Sequence, residues 1–572
     1  MRLIFDIETD GLNPSVVWVL CAMDEHGVET TLQMPTKADV EALLKDVTEV
    51  VGHNIISFDV PALEKVLGVS FDGIKLTDTL VMSRLYNPQL EGGHSLDSWG
   101  QRLKFPKGDF HDWSKLTPEM VVYCQQDVRV TEKLYRTLAD KLAPFGDESI
   151  ELEHRVQSAI VRQIKNGWLL DQRKAFDLLA ILQEKKNELE ENVLQTFKPL
   201  PTFVRVVLPK FKKDGSLSSV GLKFLGSDWS SVGGDFSRID YPEFNLGSRK
   251  QIGRYLQHFG WKPDKFTDNG QAIVDESVLS TVDDIPEAAL IAEYLLVQKR
   301  IAQVQSWVDA VEDDGRVHGS VNSIGAVTGR MTHSSPNMAQ VPASYSPYGE
   351  ECRSCWTVPE GKRLVGVDAS GLELRMLAHY MDDEDYTHEL LTGDIHTANQ
   401  QAAGLPTRDG AKTFIYAFLY GAGDAKIGSI VGGSSKDGAK LKDRFLENTP
   451  ALAGLRQRVS TAAARGYLRG LDGRKLWLRS EHAALNTLLQ SAGAIVMKKA
   501  LVIFEEFAEK WGLNVRMVGN IHDEVQMEVA AKDAENAGYL MVESIKAAGI
   551  SFDMRCPLDG DYKVGNNWSE TH

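Results

Sequence analysis

The chain has 572 residues, 43% apolar and 25% charged, with a formal net charge of −17. That balance excludes a disordered chain and argues against a protein that coats nucleic acid, but it leaves enzymes open, because net charge governs solubility more than local fields. No apolar run approaches the roughly 18–20 residues that span a bilayer, and acids interrupt the N-terminal segment where a signal peptide needs an apolar core, so the expectation is a cytoplasmic protein with no membrane partner.

The length suggests about four domains. Residues 1–145 read as alternating strands and helices. Residues 151–197 are helical, with Leu178, Leu182, Leu189 and Val193 among the apolar positions at helical spacing. Residues 198–243 turn rich in Gly, Ser and Pro and carry Lys210, Lys212, Lys213 and Lys223, the pattern of a basic loop or small insertion. Helical periodicity returns at 248–259 and 288–311, and from Arg363 the pattern is mixed α/β to the end. Five cysteines, at 21, 124, 352, 355 and 556, are too few for a disulfide framework. Cys352-x-x-Cys355 lacks the second pair that a zinc site needs.

Two acid clusters carry the chemistry. In Leu3-Ile4-Phe5-Asp6-Ile7-Glu8 the strand alternation puts Asp6 and Glu8 on one face, where they repel unless a cation lies between them. Asp59 follows a polar break at His53–Phe58. Thr117-Pro118-Glu119 opens a helix that places Tyr123 and Asp127 one turn apart on one face. Four acids and a tyrosine suit phosphodiester cleavage with two Mg²⁺ about 3.5–4 Å apart. Residues 1–140 resemble the proofreading exonucleases of the DEDD superfamily, in the subtype with Tyr-x-x-x-Asp, which implies an RNase H-like fold.

In the second cluster, Arg363–Asp368 reads as a strand ending in Asp368, and His522-Asp523-Glu524 reads as a tight turn between strands at 515–521 and 525–529. A hairpin tip can aim Asp523 at Asp368, with Glu524 as an auxiliary acid, so that two Mg²⁺ serve a 3′-hydroxyl and a triphosphate. Arg408, Lys412, Tyr416 and Tyr420 recur every four residues along one helix face, with the two cations uncompensated. Each piece alone would pass for a solvated turn or an amphipathic helix; their joint presence does not.

These segments resemble motifs A, B and C of family A DNA polymerases, nearest in wording to the bacteriophage replicative branch and without the 5′-nuclease domain of the bacterial repair members. The resemblance implies an α/β multidomain chain: an RNase H-like exonuclease domain at 1–145, then a right hand with its thumb at 151–310, palm at 311–383 and 475–572, and fingers at 384–474. Asp368, Ala369 and Asp523 would hold Mg²⁺ at one site, Asp6, Glu8, Asp59 and Asp127 at the other, with Mn²⁺ as the alternative ion. Arg408, Lys412 and His396 would take the dNTP triphosphate, and Glu373 would lie under the sugar beside Tyr416. Arg330, Gln340, His482, Asn486 and Gln490 would contact primer–template DNA, and Tyr420 would stack near the template base. Some phage members recruit thioredoxin through a basic thumb insertion, which makes 198–243 a candidate site for a processivity factor, with a helicase-primase as a further partner. A nuclease with a decayed polymerase half, a single-subunit RNA polymerase and a non-enzymatic scaffold remain as rivals.

Overall fold

Arg2–Thr9 (β1) is buried along nearly its whole length, which suits the centre of a sheet. With Val17–Asp24 (β2), Glu29–Gln33 (β3), Glu49–Gly52 (β4) and Lys75–Asp78 (β5) it forms a sheet in the order β3-β2-β1-β4-β5. β2 and β3 run antiparallel and β4 and β5 parallel, the strand pattern expected of an RNase H-like domain. Leu3, Phe5 and Ile7 cluster with Val60 and Leu63 on one face. Ile4 clusters with Met120, Cys124 and Val128 on the other. Alternation therefore turns Asp6 and Glu8 toward the Pro118–Leu142 helix. That helix begins as the sequence predicts, with Thr117 Oγ1 accepting from the Met120 N–H at 3.2 Å and proline in its first turn.

The structure, a computed structural model, describes residues 1–208, 210–216, 218, 235–279, 282 and 284–572. They fall into two units, Met1–Asp171 with Ala310–His572, and Gln172–Asp309. The first unit holds a second sheet, fully antiparallel, of Lys362–Ala369 (β6), Val515–Ile521 (β7), Glu524–Ala530 (β8) and Gly560–Gly565 (β9), in the order β7-β8-β6-β9. Val365, Val367, Val525, Met527 and Val529 share one core with residues of the Ala484–Lys510 and Ala534–Ser551 helices. Each such side chain contributes about 1.5–3 kcal/mol on burial. The same core continues through Phe414, Phe418 and Phe445 of the helices between residues 384 and 463.

The second unit contains the helices Gln172–Thr196, Arg249–His258, Glu276–Leu279 and Pro286–Asp309 and a ribbon of Thr202–Val207 paired with Phe236–Asp240. Phe197 stacks on Phe244 at 4.7 Å and lies tilted against Tyr255 at 5.7 Å in its interior. Much of the basic segment read from the sequence, including Lys223, lies outside the described residues.

Two expectations change here. The Asp147–Asn166 helix, grouped with the thumb from its sequence, belongs to the first unit. Its Glu153, fully buried, binds Lys498 at 2.7 and 2.8 Å and Arg474 at 2.5 Å, and Arg474 in turn binds Asp472. Burial pulls Lys498 down to about 8 against the pull of Glu153. The segment Glu481–Lys510 is also long and apolar enough to cross a membrane, contrary to the reading above, but 78% of its most apolar stretch is buried inside the protein, as befits a core helix.

Removing one partner of a buried charge network costs far more than replacing the whole network with apolar groups. Glu153→Ala is expected to lower stability in urea unfolding by about 3–5 kcal/mol, whereas a full apolar replacement of Glu153, Asp472, Arg474 and Lys498 should cost much less.

Candidate functional site

The first acid cluster assembles from three elements. Asp6 and Glu8 come from β1, Asp59 from the first turn of the Asp59–Leu67 helix and Asp127 from the Pro118–Leu142 helix. Asp59 Oδ1 accepts from the Ile7 N–H at 3.2 Å, which ties the loop acid to the strand between the other two. Asp78, at the end of β5, holds that loop by accepting from the N–H groups of Asn54 at 2.8 Å and Ile56 at 3.2 Å. Burial, then Glu8, Asp127 and Asp59, raise Asp6 well above the usual carboxylate range. Burial followed by Asp127 pushes Glu8 up to about 8, and burial pushes Asp59 to about 7. Tyr123 lies one turn before Asp127, half-buried, with Phe110 and Trp113 against its ring at 5.7 and 5.8 Å.

Two residues of this site carry no sequence signal. Lys107 Nζ is 2.6 Å from Asp127 Oδ2. Cys124 Sγ donates to the Asp6 carbonyl at 3.4 Å, and its sulfur comes within 4.8 Å of Asp6 and Glu8 oxygens. The other oxygen of Asp127, Oδ1, is buried with no hydrogen-bond partner. Crowded carboxylates with raised proton affinity and an orphaned oxygen fit an oxygen-seeking divalent ion, Mg²⁺ or Mn²⁺.

The second cluster forms at one edge of the second sheet. Asp368 is the penultimate residue of β6, and Ala369 N–H donates to the Asp523 carbonyl at 3.0 Å, locking the β7–β8 hairpin tip to the strand end. The tip has two residues, His522 and Asp523, with Ile521 opposite Glu524. His522 adopts φ 59°, a left-handed conformation that a short hairpin demands and that glycine tolerates better. Asp368 is exposed at the strand end, yet the protein crowded around its carboxyl, then Asp523, Glu524 and Asp561, push it to about 7, while Lys563 pulls the other way.

The shorter turn moves Glu524, expected at the tip, into β8. It is opposite Asp368 in register, but only 6% exposed. Trp568 Nε1 and Gln526 Nε2 donate to its Oε1, and His572 Nδ1 is 3.4 Å from Oε2. Its carboxylate is engaged beneath the edge rather than free beside Asp523.

Arg408, Lys412 and Tyr416 lie on the Arg408–Leu419 helix, and Tyr420 caps its end. Arg408 is compensated, contrary to expectation: its Nε is 2.6 Å from Asp394 Oδ2, and this contact holds the Asp394 carboxyl below its usual range. Lys412 is exposed and makes no ion pair among the described residues. His396 is half-buried with Nδ1 unpartnered, and burial, then Arg408 and Lys412, lower its proton affinity. Its ring centre is 6.4 Å from that of Tyr416. Burial, then the nearby Glu373, raise the pKa of Tyr416, and Glu373 also bonds Tyr420: the Tyr420 hydroxyl donates to Oε2 at 2.8 Å, and Arg330 Nη2 reaches Oε1 at 3.2 Å. Ala369 ends β6, and Gln340 is exposed at the end of a short Met338–Gln340 turn. His482 is exposed, and Asn486 and Gln490 follow at one-turn intervals along the first turns of the Ala484–Lys510 helix.

A family model, DNA polymerase family A, matches residues 226–570. The chain is 38% identical to the DNA-directed DNA polymerase of Enterobacteria phage T3 and 37% identical to that of Escherichia phage T7, each time over all of both chains. It is 26% identical to the DNA polymerase I of Pseudomonas aeruginosa over 67% of this chain and 46% of that one. In fold it is similar to the POL domain of Pol1 from M. smegmatis in complex with DNA primer-template and dNTP, with a TM-score of 0.79 and 19% identity, over 99% of this chain and 95% of that one.

Acids whose folded pKa is raised bind more protons folded than unfolded, so the metal-free protein loses stability as pH rises from the ordinary carboxylate range through about 7 to 8. Thermal unfolding in EDTA is expected to shift to lower temperature across that window. Mn²⁺ should restore it more at pH 8 than at pH 5.5, and Asp6→Asn with Glu8→Gln should flatten the dependence.

Proposed function

The chain belongs to DNA polymerase family A, on its phage replicative branch, and from that premise we propose that it extends DNA primers along a template and removes mispaired 3′ ends with its own exonuclease. The observation that carries the reading is the pairing of two acid clusters in one unit, each with a charge pattern that calls for divalent ions. Metal ions held by Asp368, Ala369 and Asp523, and by Asp6, Glu8, Asp59 and Asp127, would neutralise phosphate charge and activate the attacking oxygen at each site.

The residues around them do the positioning. Arg408, Lys412 and His396 bind the triphosphate; the Asp394 contact holds the Arg408 guanidinium on that side of the helix, and the unpartnered His396 Nδ1 offers one more polar atom. Tyr416 borders the sugar. Tyr420 must release Glu373 before it meets a template base, so nucleotide entry is coupled to breaking a 2.8 Å hydrogen bond. Arg330, Gln340, His482, Asn486 and Gln490 follow the primer–template through minor-groove acceptors, which are nearly alike for all correct pairs, so a mismatch is felt as a misplaced acceptor. At the other site Tyr123 orients the attacking water. The chain acts in the cytoplasm of an infected host, where a helicase-primase supplies opened template and primers.

The Thr202–Val207 ribbon exposes Phe203, Val204 and Val206, with Ile239 exposed on its partner strand. An apolar patch on an isolated two-stranded ribbon supports docking of a processivity factor, thioredoxin or another protein, at 198–243. Deleting residues 210–223 is expected to shorten the product made per binding event more than it slows addition of one nucleotide; equal losses in both would count against that role.

The decisive experiment incubates the protein with a 5′-labelled primer on a longer template in Mg²⁺. Extension with dNTPs and stepwise shortening without them are expected on a sequencing gel. Asp523→Ala should abolish extension by about two orders of magnitude or more and keep shortening; Asp6→Ala with Glu8→Ala should do the reverse. Shortening in both lanes would sink the polymerase reading.

A further inference from the structure

Lys107 lies between the Leu96–Arg102 and Pro118–Leu142 helices, in a segment where no periodicity or motif marks it. Its ammonium reaches the first acid cluster, 2.6 Å from Asp127 Oδ2, and lies 4.6 Å from the centre of the Tyr123 ring. The segment is built to hold it there. Gln126 Nε2 donates to the Pro106 carbonyl at 2.8 Å, and Trp18 Nε1 donates to the Trp113 carbonyl at 3.0 Å. A side chain at position 108 would press on the Tyr123 ring at 3.2 Å, so Gly108 lets the backbone pass close to the tyrosine.

Among the described residues no other lysine or arginine pairs with Asp6, Glu8, Asp59 or Asp127. One cation against four acids does not neutralise the cluster, and burying an ion pair is a poor source of stability. The arrangement makes sense if a divalent ion enters. An ion bound by Asp127 repels the ammonium only 2.6 Å away, and the anion that arrives with the substrate is a DNA phosphodiester, a good partner for a displaced ammonium.

We propose that Lys107 is a positioning residue of the 3′-5′ exonuclease: it holds Asp127 and Tyr123 in place before the metal binds, then yields the Asp127 oxygen and turns to the phosphodiester being cut. This rests on the exonuclease reading of the cluster. A purely structural lysine would stabilise the site for metal and for turnover alike. A displaced one competes with metal, so its removal has opposite effects on the two.

The test uses the full chain. Mn²⁺ binding is followed by electron paramagnetic resonance of the free ion, with Asp6→Ala/Glu8→Ala to identify the exonuclease component. Single-turnover shortening of a 5′-labelled primer is measured alongside, with extension of a matched primer as the folding control. Lys107→Met is expected to bind Mn²⁺ several-fold more tightly at that site while shortening slows by about tenfold or more, the scale of one charge-assisted hydrogen bond. Lys107→Arg should recover most of the rate. Unchanged shortening in Lys107→Met, or metal binding weakened in step with the rate, overturns the proposal. If the unmodified protein shortens no primer, or Asp6→Ala/Glu8→Ala still does, the exonuclease reading itself falls and this proposal with it. If both behave as expected and Lys107→Met matches the unmodified protein, only the role of Lys107 falls.

Discussion

Carboxylates repel one another, and this fold holds them together twice. Asp6, Glu8, Asp59 and Asp127 converge from a strand, a helix start and a long helix, and Asp368 and Asp523 converge from a strand end and a hairpin tip. In each case a backbone hydrogen bond helps to set the approach: Ile7 N–H to Asp59, and Ala369 N–H to the Asp523 carbonyl. These bonds are weak in net terms, about 1 kcal/mol each. The opposition comes from the cores behind them, where β1 and β6 are packed on both sides and cannot drift apart to relieve the charge.

Between the two clusters runs a different kind of electrostatics. Glu153, Arg474, Asp472 and Lys498 are all buried and satisfy one another. Around them Trp477 Nε1 donates to the Tyr86 carbonyl at 2.8 Å, and Arg469 reaches the Pro144 carbonyl at 3.3 Å. The Tyr467–Trp477 hairpin is therefore the joint by which the N-terminal sheet domain grips the helices that follow. Arg474 also lies against Gly329, next to Arg330, so the joint is continuous with the segment proposed to follow the primer.

Much of this was legible in one dimension because it depends on period and local chemistry. Alternation in β1 put Asp6 and Glu8 on one face, Thr117-Pro118 marked the start of the Asp127 helix, and four-residue spacing aligned Arg408, Lys412 and Tyr416. What was not legible depends on partners far away in sequence or on one residue of turn length. Glu524 left the hairpin tip because the turn has two residues, and a strand position turned it toward Trp568 and His572. Arg408 found Asp394, and Glu373 found Tyr420 and Arg330, because separate segments meet there. The Asp147–Asn166 helix is amphipathic like its successor; its ties to the first unit, the buried Glu153 with its distant cations and Leu152, Val156 and Ile160 packed with Ile495 and Val502, all lie far away in sequence.

The buried joint also bears on how such a chain can be taken apart. Cutting away the N-terminal 170 residues would strip two buried cations of Glu153 and leave the Trp477 and Arg469 donors without their backbone partners. The two acid clusters can thus be altered one side chain at a time, while removal of a whole segment disturbs the contacts that lie beneath it. A lineage that lost its N-terminal domain would have to find new partners for Trp477 and Arg469, whereas a change at a single acid of either cluster leaves that joint untouched.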